Sequence, residues 1–338
     1  MIKKRVLFAL FLLMVAIGYY QINSMLNTPV NLEGKSSVVI VESGATLKSI
    51  SRELMRQGYF DNAWVVEFSG RWLYQGVSLK AGEYQLLEGM KIEQVLSLLS
   101  SGKSILYHIR FIEGWRFKDL RAVLENADQL TSTLKDLSDE ALMRKLNAEF
   151  LHPEGLFFPD TYSYQRGDTD FSVLKRAFLK MQYELRSVWD ARAEDCVVKT
   201  PYEALVLASI IEKETGAPEE RAAISGVFSR RLKLGMRLQT DPSVIYGLGE
   251  RYDGNLTKAH LRQDTPYNTY LNYGLPPTPI ALPGREALLA AVQPARSNNI
   301  YFVARGDGTH VFSDTLDAHN KAVRKFQLNR SSSYRSTK

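Results

Sequence analysis

Residues 6–20 form an apolar run without a single charge, directly after Lys3, Lys4 and Arg5. This run constrains the fold more than any other feature, because it assigns the start of the chain to a membrane. It falls short of the ~20 residues a spanning helix needs. Ile22 and Met25 extend it, and Tyr19 and Tyr20 suit the membrane–water interface. The basic flank belongs on the cytoplasmic side, which places everything after it outside. A cleaved signal peptide is the alternative, but Gly18, Tyr19 and Tyr20 offer a poor cleavage site. The expectation is a single-pass anchor within residues 1–22, followed by a juxtamembrane linker over 23–35.

About 310 residues remain, enough for two domains. The net charge of +6 would suit an anionic polymer. Basic residues are spread along the chain, however, which reads more simply as solubility. Arg230 and Arg231 form the densest pair and are expected on a solvated helix face. Cys196 is alone, so no internal disulfide is possible. His310 and His319 lack the neighbours of a zinc site. Neither a metal nor a cofactor is expected.

From residue 38 the pattern is strand, helix, helix, strand, helix. The strands are expected over 38–41 and 82–86, and the helices over 47–57, 63–69 and 92–100. Thr46 is a candidate N-cap, and Gly58 and Gly102 are stops. The pattern restarts with a strand over 106–112 and a helix over 117–126. Residues 153–162 (PEGLFFPDTY) read as a rigid aromatic loop punctuated by two prolines and a glycine. A long amphipathic helix follows over 171–190. Next comes TPYEALVLASIIEKET, opened by a Thr200–Glu203 capping box with Pro201 in the first turn. Its apolar residues surround the axis, so the helix is expected to be buried. Gly216 and Pro218 stop it. Residues 219–234 are expected as one more helix, with Ala223, Val227, Phe228 and Leu232 on its apolar side.

Glu214 follows Ile210 by four residues and Ile211 by three, so it shares their face. Poor solvation there raises a carboxyl's pKa. The helix C-terminus also disfavours negative charge, by ~0.3–1 kcal/mol at an exposed site. Both effects favour a protonated acid near neutral pH, as a glycosidase-type general acid requires. Glu212 shares the helix-end electrostatics but projects about 200 degrees away. Periodicity does not choose between them, and either glutamate could instead pair with Lys213 or Arg221. Gln239, Thr240 and Asp241 precede Pro242, which makes Asp241 a natural N-cap. Tyr267, Asn268, Thr269 and Tyr270, with the stiff GLPPTP turn, supply the flat faces and polar edges of a sugar cleft.

The run LASIIEKET, then SGVFSRRLKLGMRLQTDPSVIYGLG, YNTY, GLPPTPI and HVFSDTLDAHN, resembles the YceG/MltG family of endolytic murein transglycosylases. Upstream, EGW and EGLFFPDTY fit as well, and the similarity extends over essentially the whole chain. The resemblance implies a membrane-anchored carbon–oxygen lyase of the bacterial inner (plasma) membrane, its catalytic domain periplasmic or extracellular. Such an enzyme cleaves peptidoglycan strands internally between N-acetylmuramic acid and N-acetylglucosamine, leaving 1,6-anhydromuramyl ends. It implies Glu214, directly followed by threonine, as general acid and then general base, with no metal required. Gln239, Thr240, Asp241, Tyr246, Asn268, Thr269, Tyr270 and Glu154 are expected to bind substrate. Cell-wall synthesis proteins are expected as partners.

Val41, Gly44, Thr46, Leu47 and Ile50 are fainter echoes of the opening of a LysM glycan-binding module, embellished over residues 64–79. The expected fold class is therefore α+β: an anchor, a small LysM-like domain over 36–104, and a larger mixed α+β catalytic domain over 105–330 built on a buried catalytic helix. A flexible tail is expected over 331–338. Two other readings compete. One is a hydrolase that pairs Glu214 with Glu154, Asp160 or Asp241. The other is a non-enzymatic glycan-binding scaffold.

Overall fold

The computed structural model describes residues 2–30, 32, 37–73, 78–148 and 152–328. The tail expected over 331–338 lies outside the described residues, as do residues 31 and 33–35 of the expected linker and 74–77 of the embellishing segment. The fold is α+β. It divides into two compact units. The first comprises Met1–His108, Asp128–Thr131 and Ser163–Thr169; the second comprises Ile109–Ala127, Ser132–Tyr162 and Asp170–Lys338.

The first unit begins with α1 (Ile2–Leu26). Its segment Val6–Leu26, of mean hydropathy 1.9, is long and apolar enough to cross a membrane. The helix runs four residues beyond the expected anchor. Side chains then take over its last carbonyls, which have no intrahelical partner. Asn27 Nδ2 donates to Asn23 O at 2.8 Å, and Thr28 Oγ1 to Ser24 O at 3.1 Å. The described part of the expected linker is not a free spacer. Val30 N donates to Met90 O at 2.7 Å and Leu32 N to Glu88 Oε2 at 2.8 Å, with both side chains buried.

Strand β1 (Ser37–Val41) pairs antiparallel with β2 (Gly82–Leu86), placing Ser37 opposite Leu86 and Val41 opposite Gly82. Val39 and Val41 face the core, whereas Val38 and Ile40 are exposed, as a two-residue repeat requires. Between the strands lie α2 (Leu47–Arg56) and α3 (Ala63–Phe68). Thr46 and Ser49 close a full capping box on α2. Helix α4 (Ile92–Ser101) packs Ile92, Val95, Leu96 and Leu99 into the same core.

Two of the unit boundaries fall within β3 (Tyr107–Arg110) and β4 (Thr161–Tyr164). The second unit holds α5 (Phe117–Glu125), α6 (Asp139–Lys145), α7 (Asp170–Asp190), α8 (Pro201–Glu214), α9 (Arg221–Lys233), α10 (Asp241–Leu248) and α11 (Arg285–Val292). Its last elements are β5 (Tyr301–Ala304), β6 (His310–Ser313) and α12 (Leu316–Val323), with β5 and β6 antiparallel. Helix α8 is central: Ala204 through Ile211 are buried without interruption, and α7, α9, α10 and α11 pack around it. Its polar residue is satisfied, since Ser209 Oγ accepts from Ile280 N at 3.0 Å and donates to Val206 O at 2.7 Å. The expected capping box is displaced by one residue. Thr200 Oγ1 accepts from Glu203 N, but the Glu203 carboxylate takes Lys199 N at 2.7 Å.

Two further expectations need correction. Residues 218–220 form a 3₁₀ turn, and α9 starts only at Arg221; Val227 and Phe228 are buried, but Ala223 and Leu232 only partly. More consequentially, Arg230 and Arg231 do not lie on a solvated face. Arg230 donates to Asn299 O at 2.6 Å and Ala295 O at 3.0 Å. Arg231 is buried and donates to Ile300 O at 2.7 Å and Leu238 O at 2.8 Å. A guanidinium tolerates burial when fixed acceptors meet its donors.

Candidate active site

The functional side chains converge where α8 ends. Glu214 is the last residue of α8, and its second neighbour on that turn, Glu212, is already engaged. Glu212 pairs with Arg221 at 3.2 Å and accepts from Gly284 N at 3.0 Å. Glu214 instead opens onto a cleft of about 1000 Å³. Burial drives its carboxyl up to about 7. The hydroxyl of Thr240 hydrogen-bonds to it and opposes that rise; the nearby negative charge of Asp241 adds to it, and Arg231 opposes it. A carboxyl so placed is available as a proton donor at neutral pH.

The segment before α10 delivers Thr240 through an unusual backbone. Gln239 has φ +53°, a left-handed conformation rare outside glycine. It is held by Gln239 N donating to Thr269 O at 3.1 Å and Thr240 N to Thr269 Oγ1 at 3.0 Å. The kink makes Thr240, not Asp241, the residue that precedes α10, and Thr240 makes no side-chain cap bond. Its hydroxyl goes to Glu214 instead. Asp241 accepts from Tyr270 OH at 2.6 Å.

The expected substrate-binding residues fall into two groups. Gln239, Asp241, Tyr246 and Tyr270 line the cleft beside Glu214. Thr240, Thr269, Asn268 and Glu154 are buried and brace it. Asn268 Nδ2 donates to Gln263 O at 2.7 Å and Leu261 O at 3.1 Å, and its Oδ1 accepts from Tyr270 N at 2.9 Å. Glu154 accepts from Phe117 N at 2.9 Å and from Tyr246 OH at 3.2 Å, and burial lifts its carboxyl to about 7.

Sequence reasoning missed Arg231, Arg116, Lys213 and the C-terminal wall of the cleft. Arg231 lines the cleft, donates to Leu238 O and Ile300 O, and lies 5.3 Å from the Tyr301 ring centroid. It thereby joins the Gln239 segment to β5. Periodicity held no signal for it, because its partners Leu238 and Ile300 lie outside its own helix, 7 and 69 residues along the chain. His310 and His319 also line the cleft. His310 Nδ1 lies 2.7 Å from Glu220 Oε2, and His319 stacks on Tyr301 at 5.0 Å.

Residues 39–325 match the YceG-like family. An endolytic murein transglycosylase of Bacillus subtilis (strain 168) is 31% identical over 328 residues, covering 91% of this chain and 90% of the relative. One from Streptococcus pneumoniae serotype 2 is 26% identical; the match takes in 94% of this chain but only 64% of that longer protein. A crystal structure of a yceG-like protein from Listeria monocytogenes superposes with a TM-score of 0.55 at 29% identity, covering 85% of this chain and 98% of the other. Matched over most of its length, with a relative above 30% identity spanned almost end to end, the chain belongs to the YceG-like family.

Proposed function

We propose that the protein is an endolytic lytic transglycosylase of peptidoglycan, anchored in the bacterial plasma membrane by α1 with its N-terminus cytoplasmic. The observation that carries this reading is Glu214. Its carboxyl is lifted to about 7 by burial and lies on the wall of a polar cleft in a chain of this family. Protonated Glu214 gives its proton to the glycosidic oxygen between N-acetylmuramic acid and N-acetylglucosamine as the C1–O bond breaks. The muramyl C6 hydroxyl then attacks C1 and returns its proton to Glu214, closing the 1,6-anhydro ring. The nucleophile is internal to the sugar, so no second carboxylate is needed to activate water. Thr240 holds one oxygen of Glu214, while Asp241 and the ionised Glu214 offset positive charge developing at C1. The strand–helix–helix–strand order of β1, α2, α3 and β2 supports a LysM-like module in residues 36–104, with residues 105–330 as the catalytic domain.

The hydrolase reading keeps one candidate of its three. Asp160 is tied to Lys180 and Glu154 is held within the protein, while Asp241 shares the cleft with Glu214. Digestion of uncrosslinked glycan, with products identified by mass, separates the readings. Anhydro ends are expected, and reducing muramic ends would replace the transglycosylase reading with the hydrolase. In the Glu214→Gln variant, turnover should fall by about 10²–10⁴-fold or more. In Glu212→Gln it should fall far less, provided the Arg221 pairing survives. Full activity of Glu214→Gln would remove Glu214 from the mechanism.

A further inference from the structure

The cleft carries two cations that the reaction above does not use. Arg116, which precedes α5, and Lys213 of α8 both line it. They are close enough for the Arg116 charge to push the Lys213 ammonium below its ordinary value, second only to the effect of burial. Neither head group forms an ion pair with a described carboxylate. Lys213 Nζ donates to Gly114 O at 3.2 Å, and Arg116 reaches Ile245 O at 3.5 Å. Four acids among the described residues surround them, and each has a partner of its own: Asp119 accepts from Arg116 N at 2.9 Å, Glu212 pairs with Arg221, Glu154 accepts from Phe117 N and Tyr246 OH, and Glu250 pairs with Lys118. Nor do the two cations tune the acid, whose charge neighbours are Asp241 and Arg231.

Placement of the arginine is built in. Glu154 fixes the Tyr246 hydroxyl, the Tyr246 ring packs edge-on against Tyr267 at 4.8 Å, and the Arg116 guanidinium sits 5.1 Å from the Tyr246 ring centroid. Two like charges held together at the wall of an open cleft repel each other. A bound anion relieves that repulsion.

We propose that Arg116 and Lys213 form a carboxylate-binding subsite, which takes the carboxylate carried on the lactyl or peptide substituent of a muramyl residue and so selects muramyl-containing strands over uncharged saccharides. The inference rests on the transglycosylase reading and names the group recognised beside the scissile bond. Glu154 acts through Tyr246 as a positioning residue for the guanidinium.

The test uses the full chain in detergent, with Glu214→Gln to prevent cleavage, and measures affinity for two probes. These are uncrosslinked glycan strands, taken with their stem peptides and again after peptide removal frees the lactyl carboxylate, and chitin oligosaccharides of similar length, which lack carboxylates. The strands should bind more tightly, and added NaCl should erode the difference. Adding Arg116→Gln or Lys213→Gln should weaken strand binding about tenfold while leaving chitin binding within about twofold. Arg116→Lys, which keeps the charge, should restore much of the loss. Equal losses on both probes, or no loss on the strands, would overturn the subsite. The transglycosylase reading is judged separately, by whether the wild-type chain forms anhydro ends.

Discussion

At the residue scale, Glu214, the proposed acid, makes stability depend on pH. Its folded-state pKa of about 7 lies above the 4.5 of an ordinary glutamate. The proton it binds therefore favours the folded state fully below pH ~4.5, and that stabilisation disappears as pH rises through about 7. Glu214→Gln removes the dependence. The variant should gain roughly 1–3 kcal/mol over wild type at pH 8 and nothing at pH 4, read by chemical denaturation at the two values. A loss of stability at pH 8 would show that the buried carboxyl carries no such strain. The same carboxyl must be protonated to act as an acid, so kcat/KM should fall as pH rises through about 7. Asp241 is one of the groups holding that pKa up. Asp241→Asn should therefore move the falling limb to lower pH, and a shift to higher pH would contradict the electrostatic assignment. Gln239 stores backbone strain of the kind found at functional sites. Gln239→Gly should hold or raise the melting temperature while lowering glycan affinity. A clear drop in melting temperature would mean that the side chain, not the φ angle, supports the loop.

At the element scale, α8 is a core helix that ends in a cleft, and its two roles separate along its length. Leu207 is fully buried, so Leu207→Ala should cost about 2–5 kcal/mol through lost contacts and the cavity left behind. Arg231 of α9 tests how distant segments are joined. Its fork of donors meets the carbonyls of Leu238 and Ile300, a geometry that lysine's single ammonium cannot reproduce. Arg231→Lys should lower stability by about 2–4 kcal/mol, and activity should fall further than the fraction unfolded explains. Activity that simply tracked the folded fraction would leave Arg231 a structural residue alone. The aromatic loop has a steric lock of its own. Gly155 sits at φ +78°, and a Cβ there would lie 2.4 Å from Pro279 Cβ.

At the scale of the whole molecule, α1 is joined to the first unit without slack, through the Val30 and Leu32 hydrogen bonds and the packing of Leu26 against its core. Protease added outside spheroplasts should digest everything after α1 and leave a short membrane fragment; a protected large fragment would reverse the topology. Deleting residues 36–104 is a more demanding experiment than the strand pattern implied. The first unit also includes Asp128–Thr131 and Ser163–Thr169, and Arg166 there pairs with the buried Glu83. A chain starting at residue 105 strands Arg166, so it should melt at lower temperature than the full protein. Unchanged melting of residues 105–330 would instead show two independent domains.

The long apolar N-terminal helix, the strand–helix–helix–strand order and the burial of α8 were legible in the sequence. Each rests on the pattern of apolar residues, an uninterrupted run in α1, alternation in β2 and apolar residues on every side of α8, and that pattern is a local property of the chain. The poor solvation of the Glu214 carboxyl was legible too, through its spacing from Ile210 and Ile211. Spacing did not separate Glu214 from Glu212, and the family resemblance chose it; the tertiary structure adds that Glu212 is engaged by Arg221 and Gly284, which belong to other segments. The tertiary structure also turned Arg231 inward, gave the Thr240 hydroxyl to Glu214, and made Glu154 a brace. These are decisions about polar groups. A buried donor or acceptor must find its partner wherever the fold brings one, and the partners of Arg231, Thr240 and Glu154 lie 7 to 92 residues away along the chain.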